Sequence, residues 1–224
     1  YISTDGGASF NSLCGTNKLP ANASRISLAI APTCPDMIYA LVADANGRFA
    51  GVYQSRNQGE TWRTIAPIGG LFDPFGGANG QICNQIVVSD KDSSLIFLGG
   101  RALCQGQEYD SEQNFNWNTI NSTLFIYNIT YHNDNLYLCT RVGIQKYNIT
   151  NRSFSTINNY LATMQASTLA IANDGRFMSG IPNGGIAYLE NPKSIAKSAK
   201  EINTSEGDAG NCIFSYIKPE ALFY

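Results

Sequence analysis

Arg48, Arg101 and Arg141 each follow the second of two apolar segments, and three such guanidinium groups could clamp a carboxylate-bearing ligand. Asp44, Asp73, Glu108 and Asp110 are carboxylates that the same topology brings to the loop end. A facing pair there would suit cleavage of a glycosidic bond. Nothing in the sequence pairs them, and turn formation is the commoner duty of Asp. The one histidine, His132, lies in the turn Tyr131-His-Asn-Asp134, without placeable partners for a metal site or a nucleophilic relay. The six cysteines, Cys14, Cys34, Cys83, Cys104, Cys139 and Cys212, contain no CxxC pair, which argues against zinc and for an oxidising compartment. No GxxxxGK[ST] loop is present, so neither metal nor cofactor is expected.

One stretch stands apart, Ile68 to Gln81. It presents Phe72, Asp73 and Phe75 between glycine pairs, and Pro74 stiffens it. Exposed aromatics on a rigid frame are the usual anchors for a protein or glycan partner, so these three residues form the candidate binding site. The alternative is a linker whose phenylalanines tuck under a sheet edge.

The elements that must hold this loop recur along the chain. Five segments share an apolar strand, a short polar turn and a second apolar strand: Ser27–Leu41, Asn84–Gly99, Tyr127–Thr140, Thr168–Ser179 and Cys212–Tyr224. Their spacing of roughly 40 to 55 residues suits four-stranded units and carries no helical periodicity. Residues 24–66, 82–121, 124–158 and 165–190 supply four such units. Residues 1–15 read as the last two strands of another and 211–224 as the first two, with 191–210 an insertion carrying a short helix over 191–202. Between the third and fourth strands lie Ser3-Thr-Asp-Gly-Gly-Ala-Ser-Phe10 and Ser55-Arg-Asn-Gln-Gly-Glu-Thr-Trp62, spaced S-x-[DN]-x-G-x-x-[FW]. The diagnostic positions are Ser3, Asp5, Gly7 and Phe10, then Ser55, Asn57, Gly59 and Trp62. A degraded copy ends at Trp117, and Asn151-Arg-Ser-Phe154 keeps only the tail.

This spacing resembles the Asp box, or bacterial neuraminidase repeat, of sialidases, sortilin-type receptors, xyloglucan-active glycosidases and photosystem assembly propellers. The resemblance implies an all-β β-propeller of four-stranded antiparallel blades, about five of them represented. Either the ends close a ring or the chain is an arc of a larger propeller, and the arc is the expectation. In those families the box turn sits away from the ligand face, so it speaks for fold and not for chemistry. The Arg-Ile-Pro signature of sialidases is absent, as is the cysteine-rich module that follows sortilin propellers.

Laid on that topology, Cys83 and Cys104 fall at the same end of one blade and are the expected disulfide. Asn22, Asn121, Asn128, Asn148, Asn151 and Asn203 head glycosylation sequons, a modest excess over chance. Charged residues are 14% with a net charge of −2, which offers no footprint for nucleic acid. No apolar run is long enough to span a membrane as a helix. The expectation is a non-catalytic, secreted or surface recognition module for a protein or glycan. The rivals are a glycoside hydrolase fragment and a sortilin-like luminal receptor domain.

Overall fold

The computed structural model describes residues 1–15, 18–66, 72–157, 168–172, 174–181, 185–189, 200–202, 212–214 and 222–223. Among them every regular element is a β-strand, and the chain divides into two compact units, Tyr1–Leu124 and Phe125–Tyr224.

In the first unit, β1 (Ala23–Ala31), β2 (Cys34–Asp44), β3 (Phe49–Ser55) and β4 (Arg63–Thr64) form a four-stranded antiparallel sheet in chain order. A second follows from β5 (Gln85–Val88), β6 (Leu95–Gly99), β7 (Leu103–Glu108) and β8 (Phe115–Asn121). Strand β2 shows why its sequence is apolar without interruption. Tyr39, Leu41 and Ala43 point into the seam with the second sheet, where they meet Ile86, Val88, Ile96 and Leu98. Ala40 and Val42 point the other way, against Tyr53, Trp62 and Leu19. Burial on both faces removes the alternation expected of a half-exposed strand.

The seam is also pinned by polar groups at the end where β3 and β7 finish. Arg56 Nη2 bonds the Glu108 carboxylate at 2.6 Å, and Arg63 donates to Gln54 Oε1 at 2.7 and 2.9 Å. Buried Gln54 in turn donates to the Tyr39 hydroxyl at 3.0 Å, and that hydroxyl donates to Ser93 O at 2.8 Å. Burial pushes the Tyr39 phenol up to about 12, so it stays a neutral donor.

In the second unit, β9 (Ile126–His132), β10 (Asn135–Thr140), β11 (Gly143–Asn148) and β12 (Ser153–Thr156) make one sheet. β13 (Thr168–Ile171), β14 (Phe177–Ile181), β15 (Gly185–Leu189) and β16 (Lys200–Ile202) make the next, and β17 (Ile213–Phe214) pairs with β18 (Leu222–Phe223). The β9–β10 hairpin turns on Asn133 and Asp134, both left-handed at φ 48° and 58°, the geometry that matches the strand twist. Asn133 Nδ2 donates to His132 Nε2 at 2.8 Å, and the histidine is the last residue of β9, beside the turn it was expected to occupy.

Two expectations change. Lys200–Ile202 pairs with β15 as the fourth strand of its sheet, inside the 191–210 stretch expected to be an insertion with a helix over 191–202. The remainder of 191–202 lies outside the described residues. The degraded motif copy expected to end at Trp117 is also shifted by two positions, with Asp110 in the place of Asp5 and Asn57. Asp110 Oδ1 accepts Asn114 N at 2.8 Å, as Asp5 accepts Ser9 N and Asn57 accepts Thr61 N at the same four-residue offset. The aromatic that follows is therefore Phe115. Trp117 stands two residues farther along β8, stacked on Phe115, with Nε1 donating to Ile65 O at 3.0 Å.

Candidate functional site

The loop end of the first unit is built from the β2–β3 turn, the segment 72–84 and the β6–β7 turn. Asp44 closes the first of these, its Oδ1 accepting Asn46 N at 2.8 Å and Arg48 N at 2.9 Å. Gly80 N donates to Gly47 O at 2.7 Å and Ala102 N donates to Pro74 O at 3.0 Å, so backbone bonds tie the middle segment to both turns. The approach is close: a Cβ on Gly100 would lie 2.2 Å from Pro74 O, so only glycine fits there. The Arg101 side chain lies over Gly76.

Phe75 is fully buried and meets Phe49 edge-on at 5.9 Å. Phe72 is partly buried between Phe49 at 5.6 Å and Trp117 at 4.9 Å. The phenylalanines expected to greet a partner are thus the footing of the loop. The cause is hydrophobic: Phe49 and Trp117 leave an apolar recess at the sheet seam, and two aromatic rings gain far more by filling it than by facing water. Asp73 is exposed, but its carboxylate caps the loop, accepting Phe75 N at 2.9 Å and Gly77 N at 2.7 Å. What remains outward is polar or small: Asn46, Arg48, Gly76, Gly77 and Gln81, with Ile82 as the apolar exception. Sequence reasoning missed Asn46, Gln81 and Ile82. The available signal was that Gln81 and Ile82 directly follow the glycine cluster; Asn46, in the separate β2–β3 turn, had none.

The four carboxylates do not share one end. Asp44 and Asp73 belong to the loop end, whereas Glu108 and Asp110 stand at the far end of β7, a strand about 20 Å long. Glu108 is engaged by Arg56 and Asp110 by its own turn. Arg48 lies in the β2–β3 turn, and Arg141, in the second unit, stacks its guanidinium over Phe125 at 5.1 Å.

The expected Cys83–Cys104 bridge is not formed among the described residues. Register gives the reason. Ile86 pairs with Leu98 and Leu98 with Cys104, so β5 and β7 are separated by a full strand, about 10 Å. A disulfide needs Cα atoms within roughly 7 Å. The Cys104 thiol instead lies 3.7 Å from Thr119 Oγ1, and burial pushes it up to about 11.

The sequons divide by environment. Asn22 and Asn151 are exposed in turns, whereas Asn121, Asn128 and Asn148 are partly buried at or within strands. Asn148 Nδ2 donates to Asn135 Oδ1 at 2.8 Å. Asn203 lies outside the described residues. Among the described residues no group of three His, Cys, Asp or Glu side chains could hold a metal ion, and no helix is long and apolar enough to cross a membrane.

No protein-family model and no curated protein matches the sequence. Solved structures do match. The GH74 xyloglucanase of Xanthomonas campestris superposes with a TM-score of 0.63 at 17% identity, over 88% of this chain and 34% of that one. The extracellular domain of a one-component system of B. thetaiotaomicron gives 0.60 at 14% identity, over 91% and 26%. The fold is that of a β-propeller. YCF48 bound to D1 peptide gives 0.51 at 12% identity, over 78% of this chain and 52% of that one. The four-stranded sheets are propeller blades, and the chain spans about a quarter to a half of the length of these neighbours.

Proposed function

We propose that this chain is a non-catalytic recognition module that binds a protein or glycan through the loop end of its first unit. The observation that carries this is the division within segment 72–84. Its aromatics are sunk into the blade seam and its carboxylate is spent on two amides, so a backbone-fixed polar surface faces outward. Such a surface offers hydrogen bonds at little ordering cost, which suits a polar polymer more than a greasy anchor. Among the neighbours one is named as a xyloglucanase and another holds a peptide, ligand classes of this kind. We read the Ser3–Phe10 and Ser55–Trp62 turns as Asp boxes, supported by their shared hydrogen bonds. The exposed sequons Asn22 and Asn151, and a neighbour that is an extracellular domain, support a secreted or surface location.

Screening glycan and peptide arrays with the protein, then with Arg48→Ala and Gln81→Ala, tests the reading. Each variant should weaken binding by about tenfold and leave the melting temperature unchanged. Binding indifferent to both variants would refute it.

A second reading, part of a glycoside hydrolase, is favoured by the xyloglucanase superposition. It requires Asp44 or Asp73 to serve as acid or base, so xyloglucan hydrolysis abolished by Asp44→Asn or Asp73→Asn would select it.

A further inference from the structure

Asparagine followed by glycine is the step at which a polypeptide most readily attacks itself. The glycine backbone nitrogen adds to the asparagine side-chain carbonyl, unhindered by a Cβ, and ammonia leaves as a five-membered succinimide closes. Water then opens the ring at either carbonyl, giving aspartate or isoaspartate. Two such steps lie among the described residues, Asn46–Gly47 and Asn79–Gly80, and a third, Asn183–Gly184, lies outside them.

The loop end of the first unit holds its two steps differently. Asn79 is half-buried, and its Nδ2 donates to Phe75 O at 2.9 Å and to Gly76 O at 3.2 Å, so its carboxamide is fixed. Asn46 is exposed in the β2–β3 turn. Its backbone N donates to Asp44 Oδ1, while its carboxamide has no hydrogen-bond partner among the described residues. Both glycine amides are bonded, Gly47 N to Asp44 O at 2.9 Å and Gly80 N to Gly47 O at 2.7 Å. The first bond lies within one short turn and the second joins two separate segments, so the first opens with less of the structure.

We propose that Asn46 is a site of spontaneous deamidation in the folded protein, with isoaspartate the chief product, and that the change unties the loop end. The isoaspartyl link runs the main chain through the former side chain and inserts one extra carbon between residues 46 and 47. Gly47 has no room to absorb it. It is left-handed at φ 76°, and even a Cβ there would come within 3.1 Å of Ala78 O and 3.2 Å of Gln81 Cγ. Lengthening therefore pulls Gly47 O off Gly80 N, one of the backbone ties on segment 72–84, while the bond from Ala102 N to Pro74 O remains. The carboxylate that replaces the amide also adds a negative charge near Arg48. The inference is independent of any ligand at the loop end.

Ageing the folded protein in heavy-oxygen water, followed by peptide mass spectrometry, tests it. Label should enter residue 46 about tenfold or more faster than residue 79, whereas the two should convert alike in the urea-unfolded chain. Equal rates in the folded protein, faster conversion at residue 79, or no label at residue 46 once the unfolded chain has converted would overturn the site. The isoaspartyl form, resolved by ion-exchange chromatography, should show faster hydrogen exchange at the Gly80 amide with Ala102 protection unchanged. Asn46→Asp carries the same charge on an ordinary main chain and should keep Gly80 as protected as in the parent. Gly80 exchange unaltered in the isoaspartyl form, or raised equally in Asn46→Asp, would overturn the untying.

Discussion

The turns Ser3–Phe10 and Ser55–Trp62 are one device in two settings. In both, the serine hydroxyl accepts an amide four residues on, Gly7 at 2.7 Å and Gly59 at 2.8 Å. In both, the third residue accepts the next amide in the same way, Ser9 at 2.9 Å and Thr61 at 3.0 Å. The aromatic that ends each turn then parts company: Trp62 is 7% exposed and Phe10 is 62% exposed. Trp62 joins a core cluster with Ala40, Val42 and Tyr53 and bonds its indole N–H to Gly59 O, whereas Phe10 stands exposed beside the Ile2–Asn11 bridge. The turn's polar geometry is therefore local, written in its own residues. Its contribution to stability depends on whether a core cluster receives the aromatic.

That separation can be broken at its strongest point first. Trp62→Ala should cost about 3–5 kcal/mol of unfolding free energy in urea denaturation, whereas Phe10→Ala should stay within about 0.5 kcal/mol. Equal losses would mean that packing does not distinguish the turns. Gly59 is left-handed at φ 92° and Gly7 at φ 94°, so Gly59→Ala and Gly7→Ala should strain both turns alike. About 1 kcal/mol of local strain is expected for each, read by hydrogen exchange of the turn amides.

The subtlest contrast is one of protons. Hydrogen bonds from the Ser9 hydroxyl and amide and the Ser3 hydroxyl hold the Asp5 carboxyl well below the usual carboxylate range, while Asn57 has nothing to titrate. A folded pKa below the unfolded one means that the carboxylate's help is complete above pH of about 4. It fades only as acid carries the solution down through the depressed value. The Ser9 amide resonance should therefore shift in strong acid while that of Thr61 holds still. Parallel shifts would point to general unfolding instead.

The sequence carried the hairpins well, because each inner pair is an apolar run bounded by turn residues. All five such segments are antiparallel strand pairs. It carried β16 badly. Lys-Glu-Ile is a three-residue edge with no period to detect, and its pairing with β15 is a tertiary fact. Trp117 misled for a related reason: β8 offers Phe115 and Trp117 on one face, and only the bond from Asn114 N to Asp110 Oδ1 shows which ends the turn. The candidate site was legible as a place and not as a chemistry. Glycine spacing located the loop, but the direction of Phe72 and Phe75 depended on a recess formed by Phe49 and Trp117, residues distant in sequence. Cys83 and Cys104 failed similarly, since an intervening strand cannot be seen from sequence separation.

The bond from Ala102 N to Pro74 O has a consequence for how this surface can change over time. It asks for a carbonyl and an N–H, which nearly every amino acid supplies, and it spends no side chain at the rim. Mutations at Arg48, Gln81 or Ile82 can therefore alter the side chains presented while the frame beneath keeps its shape. A library randomised at those positions, with Gly100 and Phe75 held fixed, would start from a loop whose path is already decided.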